Sequence, residues 1–277
     1  MSAELAAGII TDLADGVRRI IAPNPGMMTG PGTNTYLIGT DDIAVIDPGP
    51  VIDSHLQMIA DSGNIKWILV SHTHPDHSPG VGRLVELTGA MTIGVPAPDG
   101  EHQDKSFQPD RIPADGDTLD GPDFSIRMIS TPGHASNHLC FLHAGHRWLF
   151  TGDHIMNGST VVINPPDGDM QAYLQSLANL RSIEIDAIAP GHGDVFHDPQ
   201  DVIDWIVQHR LAREQKVADA VSAYPDMTSH ELVPHVYADV DERLYGWAER
   251  SLLAHLIKLQ KDGRIIEQGL RWRMTEA

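Results

Sequence analysis

The chain has 277 residues, of which 41% are hydrophobic and 21% charged, a balance that excludes a disordered polymer and fits a folded globular protein. Its formal charge of −19 is uneven: residues 1–203 hold 9 Lys/Arg against 26 Asp/Glu, and residues 204–277 hold 10 against 12. The larger part therefore repels polyanions unless a local patch or bound metals offset the field.

Cys140 is the only cysteine, which rules out an intrachain disulfide and a thiolate cluster and fits a reducing cytosol. Met1 to Val17 shows neither a basic head nor a long apolar run, so no signal peptide or membrane anchor is expected and the location is read as cytoplasmic.

In chain order, Val17–Ile21, Thr35–Ile38 and Ile43–Ile46 read as strands separated by turns rich in Gly, Pro and Asp. Ile52–Asp61 has helical spacing, and the apolar run Trp67–Val70 reads as a buried strand. Gly80–Leu87 is helical, and Met91–Val95, Phe124–Ile129, Leu139–Leu142 and Arg147–Phe150 continue the strands. Met170–Arg181 is a helix with Asp169 as its N-cap. Beyond about residue 200 the character changes. Pro199 opens a long helix running to about Tyr224, with Pro225 closing it. Thr228 and Glu231 form a capping-box pattern before a short helix. Arg243–Lys261 is a third helix stopped by Gly263, and Arg264–Ile266 with Leu270–Arg273 reads as a hairpin. Helices followed by a hairpin suggest a winged-helix appendage over residues 201–277, behind a catalytic domain over residues 1–200.

The buried strand at Trp67–Val70 leads straight into Ser71-His72-Thr73-His74-Pro75-Asp76-His77. His72 and His74 lie two apart, so an extended segment points both to one side. Pro75 then ends any ladder and turns Asp76 and His77. Three imidazoles and a carboxylate this close make poor core residues and good metal ligands. His134 in Thr-Pro-Gly-His, Asp153 in Thr-Gly-Asp-His and His192 in Pro-Gly-His-Gly each follow a strand or sit in a Gly-flanked turn. Alone, each reads as a turn or surface residue; their order and contexts taken together make them candidate ligands. Asp47, before Pro48-Gly49, could orient a ligand histidine. Ser136, Asn137 and His138 could face substrate, with plain turn chemistry as the competing account. His154 reads as a packing or supporting residue and His55 as an ordinary polar one. Met27-Met28 reads as apolar packing rather than an entrance lining.

The series His72-x-His74-x-Asp76-His77, His134, Asp153, His192 resembles the metallo-β-lactamase superfamily in its glyoxalase II-like form with a bridging aspartate. Asn24-Pro25-Gly26, Gly32-Thr33-Asn34-Thr35-Tyr36-Leu37, Asp47-Pro48-Gly49 and the C-terminal region resemble the subgroup called lactamase-beta-like protein 2. The resemblance implies an α/β fold, an αββα sandwich with the metals at one edge of its two sheets, followed by the winged-helix-like domain. It also implies that His72, His74 and His134 hold one metal, that Asp76, His77 and His192 hold a second, and that Asp153 bridges them. Two such metals share a hydroxide whose pKa falls to roughly 7, and Asp76 would orient it and relay a proton. Ligand type favours two zinc ions, with manganese or iron acceptable.

The acidic larger part favours a small ester, thioester or lactone as substrate. A single-strand endoribonuclease is the alternative, with Arg264, Arg271 and Arg273 near the wing as candidate phosphate contacts, against the favoured reading of a solvated hairpin that braces the substrate cleft. β-Lactamase activity is a weaker reading, since Asp153 stands where one class of those enzymes has cysteine and another lacks the bridging carboxylate. A glyoxalase II proper would need glutathione-binding basic residues that this C-terminal region does not match. A metal-binding module without catalysis would usually have lost ligands, and all seven positions are filled. The partners expected are a small-molecule substrate or RNA and no membrane. The C-terminal apolar stripes leave a homo-oligomer open.

Overall fold

A computed structural model describes residues 5–275. The chain divides into two compact units. The first runs up to Thr131 and adds Asn137–Val161 and Ser182–Pro199; the second gathers Pro132–Ser136, Val162–Arg181 and Gln200 onward.

In the first unit, β1 (Ile10–Ala14), β2 (Val17–Ile21), β3 (Asn34–Ile38) and β4 (Asp42–Ile46) form an antiparallel meander. Helix α1 (Asp53–Ala60) crosses over to β5 (Asn64–Leu69), and α2 (Val81–Thr88) crosses to β6 (Met91–Ile93). Both crossovers give parallel pairs, β4 with β5 and β5 with β6, as strands joined by helices require. The second sheet runs in the order β11 (Ala187–Pro190), β10 (Trp148–Gly152), β9 (Leu139–His143), β8 (Ser125–Ser130), β7 (Thr118–Asp120).

Period-two alternation decides which side chain enters which core. Tyr36, Ile38, Ala44 and Ile46 from the first sheet meet Ile126, Met128, Phe141 and Phe150 from the second. Their alternates Leu37, Ile43 and Val45 turn outward and pack with Leu56, Ile59 and Leu84 of α1 and α2. β3 is buried along its whole length because it is covered on both faces.

The second unit holds α3 (Met170–Arg181), α4 (Pro199–Ala223), α5 (Ser229–Val236), a 3₁₀ turn at Glu242–Leu244, α6 (Tyr245–Lys261) and the hairpin β12 (Ile265–Gln268) with β13 (Arg271–Met274). Its core joins Val217 and Val221, Leu232 and Val236, Leu252, Leu256 and Leu259, and Trp272. No helix among the described residues is long and apolar enough to cross a membrane. Met27 and Met28 do not pack: they are 82% and 51% exposed on a loop clamped by a Gly26–Gly30 bridge.

Candidate metal centre

β4 and β5 lie parallel, so their C-terminal ends deliver Asp47 and Ser71-His72 side by side, with Asp47 N donating to Leu69 O at 2.9 Å. Asp47 adopts a left-handed backbone conformation at φ 51°, which turns its carboxylate back over the ligand segment. Asp47 Oδ1 accepts from Ser71 N at 2.7 Å, and Oδ2 accepts from Ser71 Oγ at 2.6 Å. The same Oδ2 lies 2.9 Å from His77 Nδ1, and Ser71 Oγ lies 2.9 Å from His72 Nδ1.

The direction of each bond follows from the carboxylate. Ser71 Oγ spends its one proton on Asp47, so it accepts from His72 Nδ1–H; Asp47 likewise accepts from His77 Nδ1–H. Both rings are therefore anchored through Nδ1, which leaves Nε2 as the ring nitrogen turned toward the neighbouring candidate ligands. His192 repeats the pattern, its Nδ1 lying 3.2 Å from Gly32 O. In the second unit, His134 Nδ1 lies 2.8 Å from Val162 O. Fixing one ring nitrogen on an oxygen and presenting the other is how proteins prepare metal-binding histidines.

The presented atoms converge. Asp76, His77, Asp153 and His192, all in the first unit, offer ligand atoms within 4.8 Å of one another. His192 Nε2 stands 3.1 Å from Asp76 Oδ2 and 3.4 Å from Asp153 Oδ1. His77 Nε2 stands 3.5 Å and 3.4 Å from the same two carboxylates, buried and without a sound hydrogen bond. His72 Nε2 and His74 Nδ1 face each other at 3.0 Å.

Electrostatics agree with the geometry. Burial opposes charge on His192, yet Asp153 and Asp76 outweigh it and push its pKa up to about 10. His77 is likewise held well above its ordinary value, against burial, by Asp76, Asp153 and Asp47. Asp153 is kept well below the carboxylate range, against burial, by His192 and His77. The cluster favours positive charge, and its nitrogen and carboxylate donors are of the kind that could hold a divalent cation.

Glycines keep the space open. A Cβ on Gly191 would lie 2.7 Å from Asp153 Oδ1 and 2.8 Å from His77 Cε1. Tyr36 Oη donates to Pro190 O at 2.8 Å, and Asn34 Nδ2 donates to Pro190 O and Gly193 O, each at 2.9 Å. The Asn34-Thr35-Tyr36 segment thereby clamps the His192 turn.

The other singled-out residues fall in different places. Asn137 and His138 are buried; His138 stacks on His72 with ring centroids 5.0 Å apart and lies 2.9 Å from Thr131 Oγ1 through Nδ1. Ser136 belongs to the second unit, with its backbone N 3.3 Å from the Asp167 carboxylate. His154 is fully buried beside His138. His55, read as an ordinary polar residue, is buried with Nε2 3.0 Å from Thr35 Oγ1, and burial lowers its pKa to about 4. Burial of this kind depends on partners distant in sequence, which no local spacing reveals.

Known proteins place this geometry in a family. Residues 28–192 match the model of the metallo-beta-lactamase superfamily, and residues 228–272 match the beta-lactamase associated winged helix domain. A Drosophila melanogaster protein named beta-lactamase-like protein 2 homolog is 31% identical over 275 residues, covering 92% of this chain and 91% of its own length. An Aspergillus fumigatus protein named atrochrysone carboxyl ACP thioesterase is 28% identical, covering 94% of this chain and 85% of its own. The crystal structure of a beta-lactamase domain protein from Burkholderia ambifaria shares the fold at a TM-score of 0.83 and 20% identity, over 99% of this chain and 96% of that one. The chain belongs to the metallo-beta-lactamase superfamily of hydrolases, with that superfamily's associated winged helix toward its C-terminus.

Proposed function

We propose that the protein is a dinuclear metal-dependent thioesterase or esterase acting on a small acyl substrate. The observation that carries the metal-dependent part is the commitment of His72, His77 and His192 through Nδ1, with Nε2 of His77 and of His192 beside the carboxylates of Asp76 and Asp153. His72 and His74, with His134, would hold one ion; Asp76, His77 and His192 would hold the other, and Asp153 would serve both. Zinc suits these donors, and manganese or iron would also be accepted.

Divalent metals bound here supply Lewis acidity, lowering the pKa of water toward roughly 7 and polarising an acyl carbonyl. The chain's own residues do the rest. Asp47 fixes the ring planes of His77 and, through Ser71, of His72. Asp76 is more exposed than the other members of its cluster, at 26%, and faces solvent with Oδ2 beside His192. Burial works against its charge, but His77 and His192 keep its pKa below the ordinary carboxylate value. Asp76 is therefore ionised at neutral pH, able to accept a proton at Oδ2 and to orient the attacking oxygen. A thiol with a pKa of about 8.5 leaves as thiolate with little help from an acid, which suits a site whose catalytic group is an ionised carboxylate.

Charge also favours an acyl substrate over RNA. Arg271 Nη1 donates to Asp226 O at 2.5 Å and lies 3.4 Å from Glu231 Oε2. Arg273 Nε pairs with Asp226 Oδ1 at 3.1 Å, and Arg264 Nη1 lies 3.8 Å from Glu214 Oε1. Each of the three wing arginines thus has a carboxylate of its own unit within 3.8 Å. A relative named as an acyl carrier protein thioesterase supports the same choice. The test sets acyl thioesters against a labelled single-stranded RNA at low salt, using zinc-loaded protein, metal-free protein and Asp76→Asn. We expect thioester turnover that needs both metal and Asp76, with the RNA intact. Metal- and Asp76-dependent RNA cleavage would make the nuclease reading primary.

A further inference from the structure

Thr73 stands between the two histidines His72 and His74, beyond the end of β5, where no sheet ladder fixes the backbone. Its buried hydroxyl donates to Gln103 Oε1 at 2.6 Å and accepts from Asn137 Nδ2 at 2.8 Å. Its carbonyl accepts from Asp104 N at 2.7 Å. Asn137 is 5% exposed, and the same Nδ2 lies 3.2 Å from both Val95 O and Pro96 O. Turning the amide over would press Oδ1 against those two carbonyl oxygens, so the amide has one acceptable orientation. In that orientation Oδ1 is buried with no donor. A buried acceptor left unmet is destabilising, and the arrangement sacrifices it to place one donor on Thr73 and on the loop after β6.

We propose that Asn137 is a positioning residue of the metal centre, anchoring Thr73 to the loop after β6 and so setting the aim of His72 Nε2 and His74 Nδ1. This rests on the reading of those two histidines as ligands of one ion. Asn137 touches neither ring donor; it acts through Thr73, whose backbone carries both rings. A displacement at Thr73 opens the 3.0 Å approach between the two nitrogens, and a metal site tolerates little such looseness.

The test is titration of metal-free protein with Co²⁺, followed by visible absorption, for wild type, Asn137→Ala, Asn137→Asp, Thr73→Val and the double variant Thr73→Val/Asn137→Ala. Thermal melting of each metal-free protein runs alongside. Asn137→Asp keeps the shape and removes the donor. We expect wild type to bind two equivalents. In each single variant one of the two ions should bind at least tenfold more weakly, with an altered absorption band, while the other is unchanged. The double variant should be no weaker than the worse single one, because both act through one contact. Variants that bind both ions like wild type, or that melt earlier without any loss of Co²⁺ affinity, would overturn the proposal and leave the metal centre standing. Wild type that takes up no Co²⁺ would overturn the metal centre and the proposal together.

Discussion

Asp47 shows how much one residue can organise. Its two oxygens meet Ser71 N, Ser71 Oγ and His77 Nδ1, so one carboxylate fixes ring orientation in both candidate metal groups. Nearby, His55 is buried neutral against Thr35, whose hydroxyl in turn donates to Asp47 O. Its pKa of about 4 in the fold lies below the ordinary 6.5, so the unfolded chain binds this proton more readily. The stability it contributes is complete above pH 6.5 and is lost as pH falls toward 4, by about 3 kcal/mol. Chemical denaturation of metal-free wild type and His55→Gln at pH 7 and pH 4 checks this. Wild type should lose about 3 kcal/mol more than the variant between the two; equal losses would show that His55 is protonated in the fold. The candidate motif His72–His77 stood out in the sequence because its residues are neighbours and their chemistry is shared. Asp47 was legible as a support because it ends a strand. His55, His138 and Asn137 were not, because their burial is created by partners 20 or more residues away for His55 and 64 for Asn137.

At the scale of elements, local signals served best where capping and periodicity agree. Helix α3 spans Met170–Arg181 as its spacing requires, and Asp169 Oδ1 accepts from Gln171 N and Ala172 N at 2.8 and 3.0 Å. The capping box of α5 is formed, with Thr228 Oγ1 accepting from Glu231 N and Glu231 Oε2 accepting from Thr228 N. Thr228→Ala should therefore lower amide hydrogen-exchange protection at Leu232 and Val233 about fivefold, the equivalent of about 1 kcal/mol. Thr228→Ser should be nearly silent, and unchanged protection in the alanine variant would mean that packing alone holds this helix end. Three strands escaped sequence reading. β1 is a bulged edge strand with Thr11 and Asp12 in its middle, and β7 has three residues. β11 has four, ends on Pro190, and exists because β10 offers it a parallel partner. None of the three carries enough alternation to declare itself.

For the whole molecule, the family matches end at residue 192 and resume at 228, with the domain boundary we propose near residue 200 between them. Packing groups differently, placing the His134 loop and α3 with the C-terminal helices. Asp169, the cap of α3, pairs with Lys261 at the end of α6 at 2.6 Å, and Arg181 pairs with Asp204 of α4. The net charge of −19 and the carboxylates Asp226, Glu231 and Glu214 beside the wing arginines are the grounds on which we propose an acyl substrate rather than a polyanion. The central claim is that two divalent ions on this donor set make the protein an acyl hydrolase. Its most direct measurement is the initial rate of acyl-thioester hydrolysis as zinc is added stepwise to metal-free protein. We expect no turnover at zero equivalents, a rise that saturates at two, and loss on chelation. Thioester turnover that is indifferent to added zinc and to chelator would contradict it.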